Sequence, residues 1–252
     1  LRLESLLSGA LDRGEIFVVY QPQVDTRTGS LIGAEALARW RSPELGMVSP
    51  LDFVPLAEDS GLIEQIGRYV LETACKQLAR WRDQLPPGTR IGVNVSSRQM
   101  SVPGFANIVE KALADAGLPA HSLEIELTES LFALRVATVV ETLNALKAMG
   151  VRLAVDDFGT GYSSLSYLRE FPVNTVKIDR SFMIPVGDEA ADSLVRAIVT
   201  MGHSLGLQVV GEGIETAQQL AFLQEVGCDA VQGYFVSKPL PADAFLRFAT
   251  RA

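Results

Sequence analysis

The chain has 252 residues, a formal net charge of −8 and a hydrophobic fraction of 48%. This length suits one α/β barrel or two smaller domains, and the apolar fraction leaves ample material for a core. The acidic charge disfavours a nucleic-acid surface, although a bound divalent cation can still make the local field suitable for a phosphate ligand. No run of 18 apolar residues is present, so the sequence predicts no membrane span.

Cysteine and histidine are too scarce to form a disulfide framework or an imidazole-based metal site. Cys75 and Cys228 are far apart and form no CxxC pair, and the two histidines are His121 and His203. The simplest interpretation is a cytoplasmic location, for a free protein or for the cytoplasmic part of a membrane-anchored one. The chain begins with Leu1 and not with Met, which suggests that it is excised from a longer protein.

The first third of the chain predicts a helix, two closely spaced strands and a long helix. Pro22 is expected to end the first strand because proline cannot donate to a strand ladder. The predicted segments are a helix at 1–13, strands at 16–22 and 31–40, a loop at 42–50, a short helix at 50–57 and a long helix at 62–85.

From residue 91 onward, strand and helix patterns alternate, and glycines close several of the predicted helices. The predicted strands are 91–95, 123–127, 151–156, 175–179, 207–211 and 230–232. The predicted helices are 105–116, 136–149, 163–169, 190–205, 217–226 and 242–248.

Eight strands alternating with helices predict a (β/α)8 TIM-type barrel in the α/β class. The first two strands are separated only by a turn, so one strand near the N-terminus is expected to run antiparallel. A doubly wound open sheet is the alternative, but it would normally have fewer units. No linker or shift in composition divides the chain, so residues 1–252 are expected to form one domain.

Two adjacent aspartates stand at the end of a predicted strand. Asp156 and Asp157 follow an apolar run and open a glycine-rich segment, Asp-Asp-Phe-Gly-Thr-Gly-Tyr-Ser-Ser-Leu, which we expect to be a mobile loop. Neighbouring carboxylates repel each other unless a cation lies between them. A metal site is therefore one interpretation, and a solvated acidic turn is the other.

Strand alternation places further polar residues inside the predicted barrel. At least six strands point a polar side chain inward near their C-terminal ends, where sites lie in this fold. Acids outnumber the inward Arg39 and Lys177, which indicates a missing cation. Ligands that are all oxygen favour Mg²⁺ or Mn²⁺, and the acids suffice for two ions sharing a carboxylate. The inward residues are Glu35, Arg39, Asn94, Glu124, Glu126, Asp156, Lys177, Asp179, Glu212 and Gln232.

A series of short motifs runs through the chain in a fixed order. The motifs are Tyr20-Gln21-Pro22, Glu35-Ala36-Leu37 with Arg39-Trp40, Asn94-Val95-Ser96, Glu126-Leu127-Thr128-Glu129, the ten residues from Asp156 to Leu165, Val176-Lys177-Ile178-Asp179, Glu212-Gly213-Ile214-Glu215-Thr216, Gln232-Gly233-Tyr234 and Lys238-Pro239. With this set, the chain resembles the EAL-domain family of bacterial cyclic di-GMP phosphodiesterases. The resemblance covers nearly the whole chain.

The resemblance implies a hydrolase that opens cyclic di-GMP to linear pGpG with two Mg²⁺ or Mn²⁺ ions. Ca²⁺ is expected to bind the same oxygens and to inhibit the reaction, because its looser geometry positions the water poorly. It implies one ion held by Glu35, Asn94, Glu126 and Asp156, and a second held by Asp156 and Asp157 with Glu212 nearby. The implied catalytic residues are Glu35, Lys177 and Glu212, the last as metal ligand or general base. The implied substrate or supporting contacts are Gln21, Leu37, Arg39, Asp179, Glu215 and Gln232, and Glu129 is implied to anchor the loop at 156–165.

The same resemblance sets expectations about partners. The segment 1–13 resembles the linker helix that follows a GGDEF domain, which predicts upstream GGDEF or sensor domains. A homodimer is expected, with no nucleic-acid polymer and no membrane contact from this domain. Two other functions stay open: a catalytically silent cyclic di-GMP receptor, and another metal-dependent barrel enzyme such as a lyase, for which Lys177 would be the inward lysine.

Overall fold

Strands and helices alternate along most of the chain in the computed structural model, which describes residues 2–133, 136–160, 168 and 170–250. The strands are β1 (Ile16–Asp25), β2 (Leu31–Ser42), β3 (Gly46–Val48), β4 (Arg90–Asn94), β5 (Leu123–Thr128), β6 (Arg152–Phe158), β7 (Thr175–Ile178), β8 (Gln208–Gly211) and β9 (Ala230–Val231). The helices are α1 (Arg2–Leu7), α2 (Pro50–Ser60), α3 (Ile63–Trp81), α4 (Ser97–Met100), α5 (Phe105–Ala116), α6 (Glu129–Ala133), α7 (Ala137–Met149), α8 (Glu189–Ser204), α9 (Ala217–Glu225) and α10 (Ala242–Ala249).

Eight of these strands close into a barrel. Their order is β1-β9-β8-β7-β6-β5-β4-β2, and β2 pairs back onto β1, while β3 adds to β2 outside the ring. The strand β1 runs antiparallel to both of its neighbours, and the other ring pairs are parallel. The predicted TIM-type barrel with one antiparallel strand is confirmed, and the open-sheet alternative is wrong.

Residues alternate along the strands between the barrel interior and the surrounding helices. The apolar set on β4, β5 and β6 is fully buried against the helices, as at Val93, Ile125 and Val155. Helix α5 shows how the chain covers this face, since it begins at Phe105 and ends at Gly117, whose left-handed backbone closes the helix. The interior is therefore left to the polar residues of the same strands.

Several predicted boundaries are wrong, beginning with the end of the first strand. The first strand does not end at Pro22 but continues to Asp25, paired with β2 throughout. On the edge of β1 away from β2, the N–H of Tyr20 donates to Leu240 O, and pairing with β9 begins at Val24. Pro22 faces this same edge, between these two contacts. A proline is tolerated there because no ladder partner requires its missing donor.

Other boundary errors concern a loop and two helices. The predicted loop at 42–50 contains β3, and the long helix ends at Trp81 and not at residue 85. The predicted helix at 1–13 is regular only over Arg2–Leu7. The predicted helix at 163–169 lies outside the described residues apart from Leu168.

The N-terminal end of the barrel is closed by an ion pair. Arg152 Nε lies 2.9 Å from Glu124 Oε2, which also accepts a hydrogen bond from Thr175. Glu124 is thus a structural acid two residues away from Glu126 on the same inward face.

No helix in the described ranges is long and apolar enough to cross a membrane.

The two free thiols are expected to be inert in the folded protein. Burial raises the pKa of Cys75 and of Cys228 to about 12. The thiolate is the reactive form of cysteine. At about pH 8, the thiolate fraction of these two residues is about a thousandfold lower than that of an ordinary cysteine. We expect Ellman's reagent to label neither residue until denaturant is added; rapid labelling of the native protein would contradict the described packing.

Candidate functional site

Five acidic side chains meet at the C-terminal end of the barrel, and we call them the acid cluster. They are Glu35, Glu126, Asp156, Asp157 and Glu212. Four of them lie near or just beyond the C-terminal end of a strand, whereas Glu35 lies within the long strand β2. The parallel register brings residues of neighbouring strands together, as in the pair Asn94 and Glu126. Strand alternation and parallel pairing are thus sufficient to assemble the cluster from distant parts of the chain.

Lys177 lies inside the acid cluster and is almost fully buried. Its Nζ is 2.6 Å from Glu126 Oε2, 2.8 Å from Glu212 Oε1, 3.1 Å from Asp156 Oδ1 and 3.8 Å from Glu35 Oε2. These contacts satisfy one positive charge, whereas the cluster carries five acids. A single lysine therefore does not neutralise the site.

The electrostatics of the cluster show this imbalance. Burial alone would lower the pKa of Lys177, but the surrounding carboxylates, led by Asp156, raise it well above its ordinary value. Burial raises the pKa of Glu126 and of Glu212 well above the ordinary range, with Lys177 opposing the shift. Burial, followed by repulsion from Asp156, raises the pKa of Asp157 to about 6. The protein without added cations thus disfavours full ionisation of its own cluster.

The acids fall into two overlapping groups that could each hold a cation. One oxygen from each of Glu35, Glu126 and Asp156 lies within 4.8 Å of the others, and the same holds for Asp156, Asp157 and Glu212. Asp156 belongs to both groups. In addition, Glu126 Oε1 is buried and has no hydrogen-bond partner among the residues that the structure describes. A buried carboxylate oxygen without a donor costs free energy, and a divalent cation would satisfy it, so the donor set fits hard cations with oxygen ligands.

Glu35 is held in place by two side-chain amides. Asn94 Nδ2 donates to Glu35 Oε1 at 2.5 Å, which leaves the amide oxygen of Asn94 for a ligand. Gln232 Nε2 donates to Glu35 Oε2 and also to Gln21 Oε1. Gln21 in turn donates to the backbone oxygen of Ser237 at 3.1 Å. Gln21 and Gln232 are both buried. Gln232 orients Glu35 directly, and Gln21 acts on Glu35 through its hydrogen bond with Gln232.

Sequence reasoning missed Gln23 as a member of this network. Its Nε2 donates to Gln232 Oε1 at 2.9 Å, deep inside the barrel. Gln23 lies two residues after Gln21 on β1, so the same strand alternation would have identified it if β1 had been extended past Pro22.

The end of β6 has an unusual backbone. Asp157 has a φ of 52°, a left-handed conformation that non-glycine residues rarely adopt. Its N–H donates to Asp156 Oδ1, and the hydroxyl of Thr160 donates to Asp157 O at 2.8 Å. Glu129 Oε2 accepts the N–H of Gly159 at 2.9 Å, so Glu129 does contact the beginning of the glycine-rich segment. Residues 161–165 of that segment lie outside the described residues, so its predicted mobility stays a prediction.

A cavity of about 410 Å³ opens beside the acid cluster. Leu37 and Arg39 line it on one side and Asn94, Glu126 and Asp157 on another, while apolar side chains from α2 and α3 form the remaining wall. The Arg39 guanidinium is half-buried and donates to Ala38 O. Burial lowers the pKa of Arg39, and Tyr234 and Glu35 oppose that shift. The cavity thus joins an apolar wall, a cationic side chain and the acids.

Two residues that were predicted to contact the substrate make hydrogen bonds within the protein. The Asp179 carboxylate accepts the N–H of Ser181 at 3.0 Å and so caps the short 3₁₀ turn Arg180–Phe182. Glu215 is exposed, and its backbone N–H donates to Gln219 Oε1 at 2.6 Å. Both residues lie beyond a strand end, where alternation no longer predicts the side-chain direction, and their substrate roles stay predictions.

Comparison with known proteins gives consistent matches over almost the whole chain. The model of the EAL domain matches residues 4–239. The chain is 43% identical over 244 residues to the oxygen sensor protein DosP of Escherichia coli, covering 96% of this chain and 30% of that protein. It is 41% identical over 247 residues to the bifunctional diguanylate cyclase/cyclic di-GMP phosphodiesterase MucR of Pseudomonas aeruginosa, covering 98% of this chain and 36% of MucR. The chain thus spans about a third of these relatives.

A solved structure matches equally well. The PaMucR phosphodiesterase in its c-di-GMP complex superposes with a TM-score of 0.92 at 42% identity, covering 97% of this chain and 100% of the other. The FimX EAL domain of Pseudomonas aeruginosa bound to c-di-GMP matches at 25% identity with a TM-score of 0.86, covering 94% of this chain and 96% of that one. Both structures share the barrel described above.

Proposed function

The chain belongs to the EAL-domain family of cyclic di-GMP phosphodiesterases, and from that premise we propose that it hydrolyses cyclic di-GMP to linear pGpG with two divalent cations. The observation that carries this proposal is the position of Asp156 in two overlapping groups of acids, beside a Glu126 oxygen that has no partner within the described part of the chain. Two cations sharing one carboxylate can act on the attacking and leaving oxygens of a phosphodiester. By lowering bacterial second-messenger levels, the domain would act in signalling.

The proposed ligand set follows the geometry of the acid cluster. Glu35, Asn94, Glu126 and Asp156 would hold one ion, and Asp156, Asp157 and Glu212 the other. The ions would supply Lewis acidity, which makes the attacking water more acidic and offsets charge on the phosphoryl oxygens. We expect Mg²⁺ or Mn²⁺ to support the reaction and Ca²⁺ to inhibit it, because Ca²⁺ accepts a looser geometry that positions the water poorly.

The residues of the chain would position and deprotonate the nucleophile. Lys177 has its ammonium among the ligands, where it can donate a hydrogen bond to the attacking water and fix its direction. Glu212 is partly exposed, so it could accept a proton from the attacking water and release it to solvent. In this proposal Glu35 is both a ligand and the residue that Asn94 and Gln232 orient.

The substrate would lie in the cavity beside the acids. Arg39 offers a cationic fork for a phosphate, and the apolar wall that includes Leu37 suits the face of a purine base. Gln21 and Gln232 would support the site through Glu35, and Asp179 and Glu215 would contribute from the neighbouring strand ends. Glu129 would keep the loop at 156–165 in place through Gly159.

A silent receptor is the second candidate function, because FimX shows an EAL domain bound to c-di-GMP. The presence of every expected acid, with Lys177 among them, favours catalysis here. The experiment is to incubate the protein with cyclic di-GMP and Mn²⁺ and to separate the nucleotides by chromatography. We expect pGpG to accumulate as the product. Saturable binding of cyclic di-GMP with no pGpG would instead establish the receptor.

The assembly of the protein forms a separate part of the proposal. Because the relatives are about three times longer than this chain, we propose that residues 1–252 are the EAL domain of a larger cytoplasmic signalling protein, with 1–13 as linker after GGDEF or sensor domains. We further propose that the domain acts as a homodimer. Light scattering should give twice the chain mass of 27.2 kDa, and a strict monomer with full activity would contradict this.

A further inference from the structure

The 3₁₀ turn after β7 touches two glycines, Gly159 and Gly213, which lie within two residues of proposed cation ligands. It comprises Arg180–Phe182 and follows Asp179 directly. Resting on the proposed function, we propose that Phe182 is a positioning residue for the second cation, the one assigned to Asp156, Asp157 and Glu212. Phe182 itself contacts neither the substrate nor the ion in this proposal, and it acts by fixing the backbone that carries Asp157.

The ring of Phe182 packs directly on Gly159. A methyl group built on Gly159 would lie 2.7 Å from Cζ and 2.9 Å from Cε2 of that ring, so only glycine allows the approach. Gly159 has a φ of 95°, which also favours glycine. On its other side, the N–H of Gly159 donates to Glu129 Oε2 at 2.9 Å. The backbone at Gly159 is therefore held between an acid from α6 and an aromatic ring from the β7 turn.

This support acts on a strained neighbour. Asp157 stands two residues before Gly159 and has a φ of 52°. A left-handed conformation is unfavourable for a non-glycine residue, so it persists only where surrounding contacts enforce it. The ring of Phe182 is one of these contacts. Without it, the backbone can relax toward an ordinary φ, and the Asp157 carboxylate would turn away from Asp156 and Glu212.

The same turn also reaches the far side of the second cation position. A methyl group built on Gly213 would overlap the Cβ of Arg180 and lie 3.2 Å from its Cα, and Gly213 directly follows Glu212. The turn is itself rigid, because the Asp179 carboxylate caps it and Asp179 O accepts the N–H of Phe182. The turn thus sets the spacing between the end of β6 and the end of β8. In the first group of acids, Glu35 and Glu126 lie on β2 and β5, which are not neighbours of β7 in the ring.

The test is a Mn²⁺ titration of the substrate-free protein, followed by electron paramagnetic resonance. The unchanged protein should bind two ions. Phe182→Ala should keep one ion with its original affinity and weaken the other by about tenfold or more, the usual effect of removing a support behind a ligand. Phe182→Leu should give an intermediate loss. The retained ion shows within the same sample that the barrel is folded.

The matched control is Phe248→Ala, which removes a partly buried ring from α10 and should leave both affinities unchanged. Equal affinities in Phe182→Ala and the unchanged protein would overturn the proposal, as would an equal loss at both positions. None of these readouts uses turnover. Failure of the proposed function would instead be seen as cation binding without pGpG formation.

Discussion

Asp156→Asn is expected to abolish hydrolysis while making the metal-free protein more stable. Asp156 belongs to both groups of acids, so its substitution weakens both proposed cation positions at once. We expect the rate to fall by at least about a thousandfold, the loss typical when charge stabilisation of a transition state is removed. The asparagine keeps the oxygen that accepts the N–H of Asp157, so the local backbone contact is preserved.

The stability effect has the opposite sign because one negative charge leaves a crowded cluster. A gain of about 1 kcal/mol would raise Tm by about 2–4 °C in a protein of this size. Differential scanning calorimetry in chelator measures it, and addition of Mg²⁺ should raise Tm in the unchanged protein but hardly in the variant. Asp83→Asn, at a fully solvated side chain, is the control and should change neither property. A lower Tm for Asp156→Asn in chelator would contradict the account.

Lys177→Met is the second large effect, and it should destabilise the metal-free protein. Its ammonium contacts four carboxylates and is 1% exposed, so methionine keeps most of the volume but leaves those acids without their cation. Breaking a buried ion pair from one side costs about 3–5 kcal/mol. Activity should also fall, by about a hundredfold or more, because the attacking water loses its hydrogen-bond donor.

Urea denaturation with and without Mg²⁺ separates these two effects. The cation should recover more stability in Lys177→Met than in the unchanged protein, because it supplies the positive charge that the variant lacks, whereas activity should stay low. Lys111→Met, at an exposed ion pair with Asp115, is the control. Full activity of Lys177→Met at saturating Mg²⁺ would show that Lys177 has no part in the reaction.

The sequence predicted the barrel and the meeting of the acids because both depend on local patterns that are repeated. Strand alternation placed Glu35, Glu126 and Lys177 on one face, and parallel pairing brought their strands together around the ring. The direction of Asp156 follows from the same rule. No long-range information was needed for these residues, because closure of the ring converts a shared parity into proximity.

The remaining features depend on contacts that the sequence does not encode locally. The continuation of β1 past Pro22 depends on what faces the proline across the sheet, and the membership of Gln23 in the interior network depends on that continuation. Asp157 lies at the end of β6 in a left-handed conformation, so parity does not describe its direction. The contact between Phe182 and Gly159 joins two loops, and their distance is set only when the barrel closes.

The most direct test of the account is cation-dependent hydrolysis of cyclic di-GMP by the protein. The rate of pGpG formation should be measured in chelator and then against increasing free Mn²⁺, with Asp156→Asn in parallel. We expect no turnover in chelator, recovery on addition of Mn²⁺, and no recovery in the variant. An undiminished rate in chelator, or an equal rate in Asp156→Asn, would contradict it.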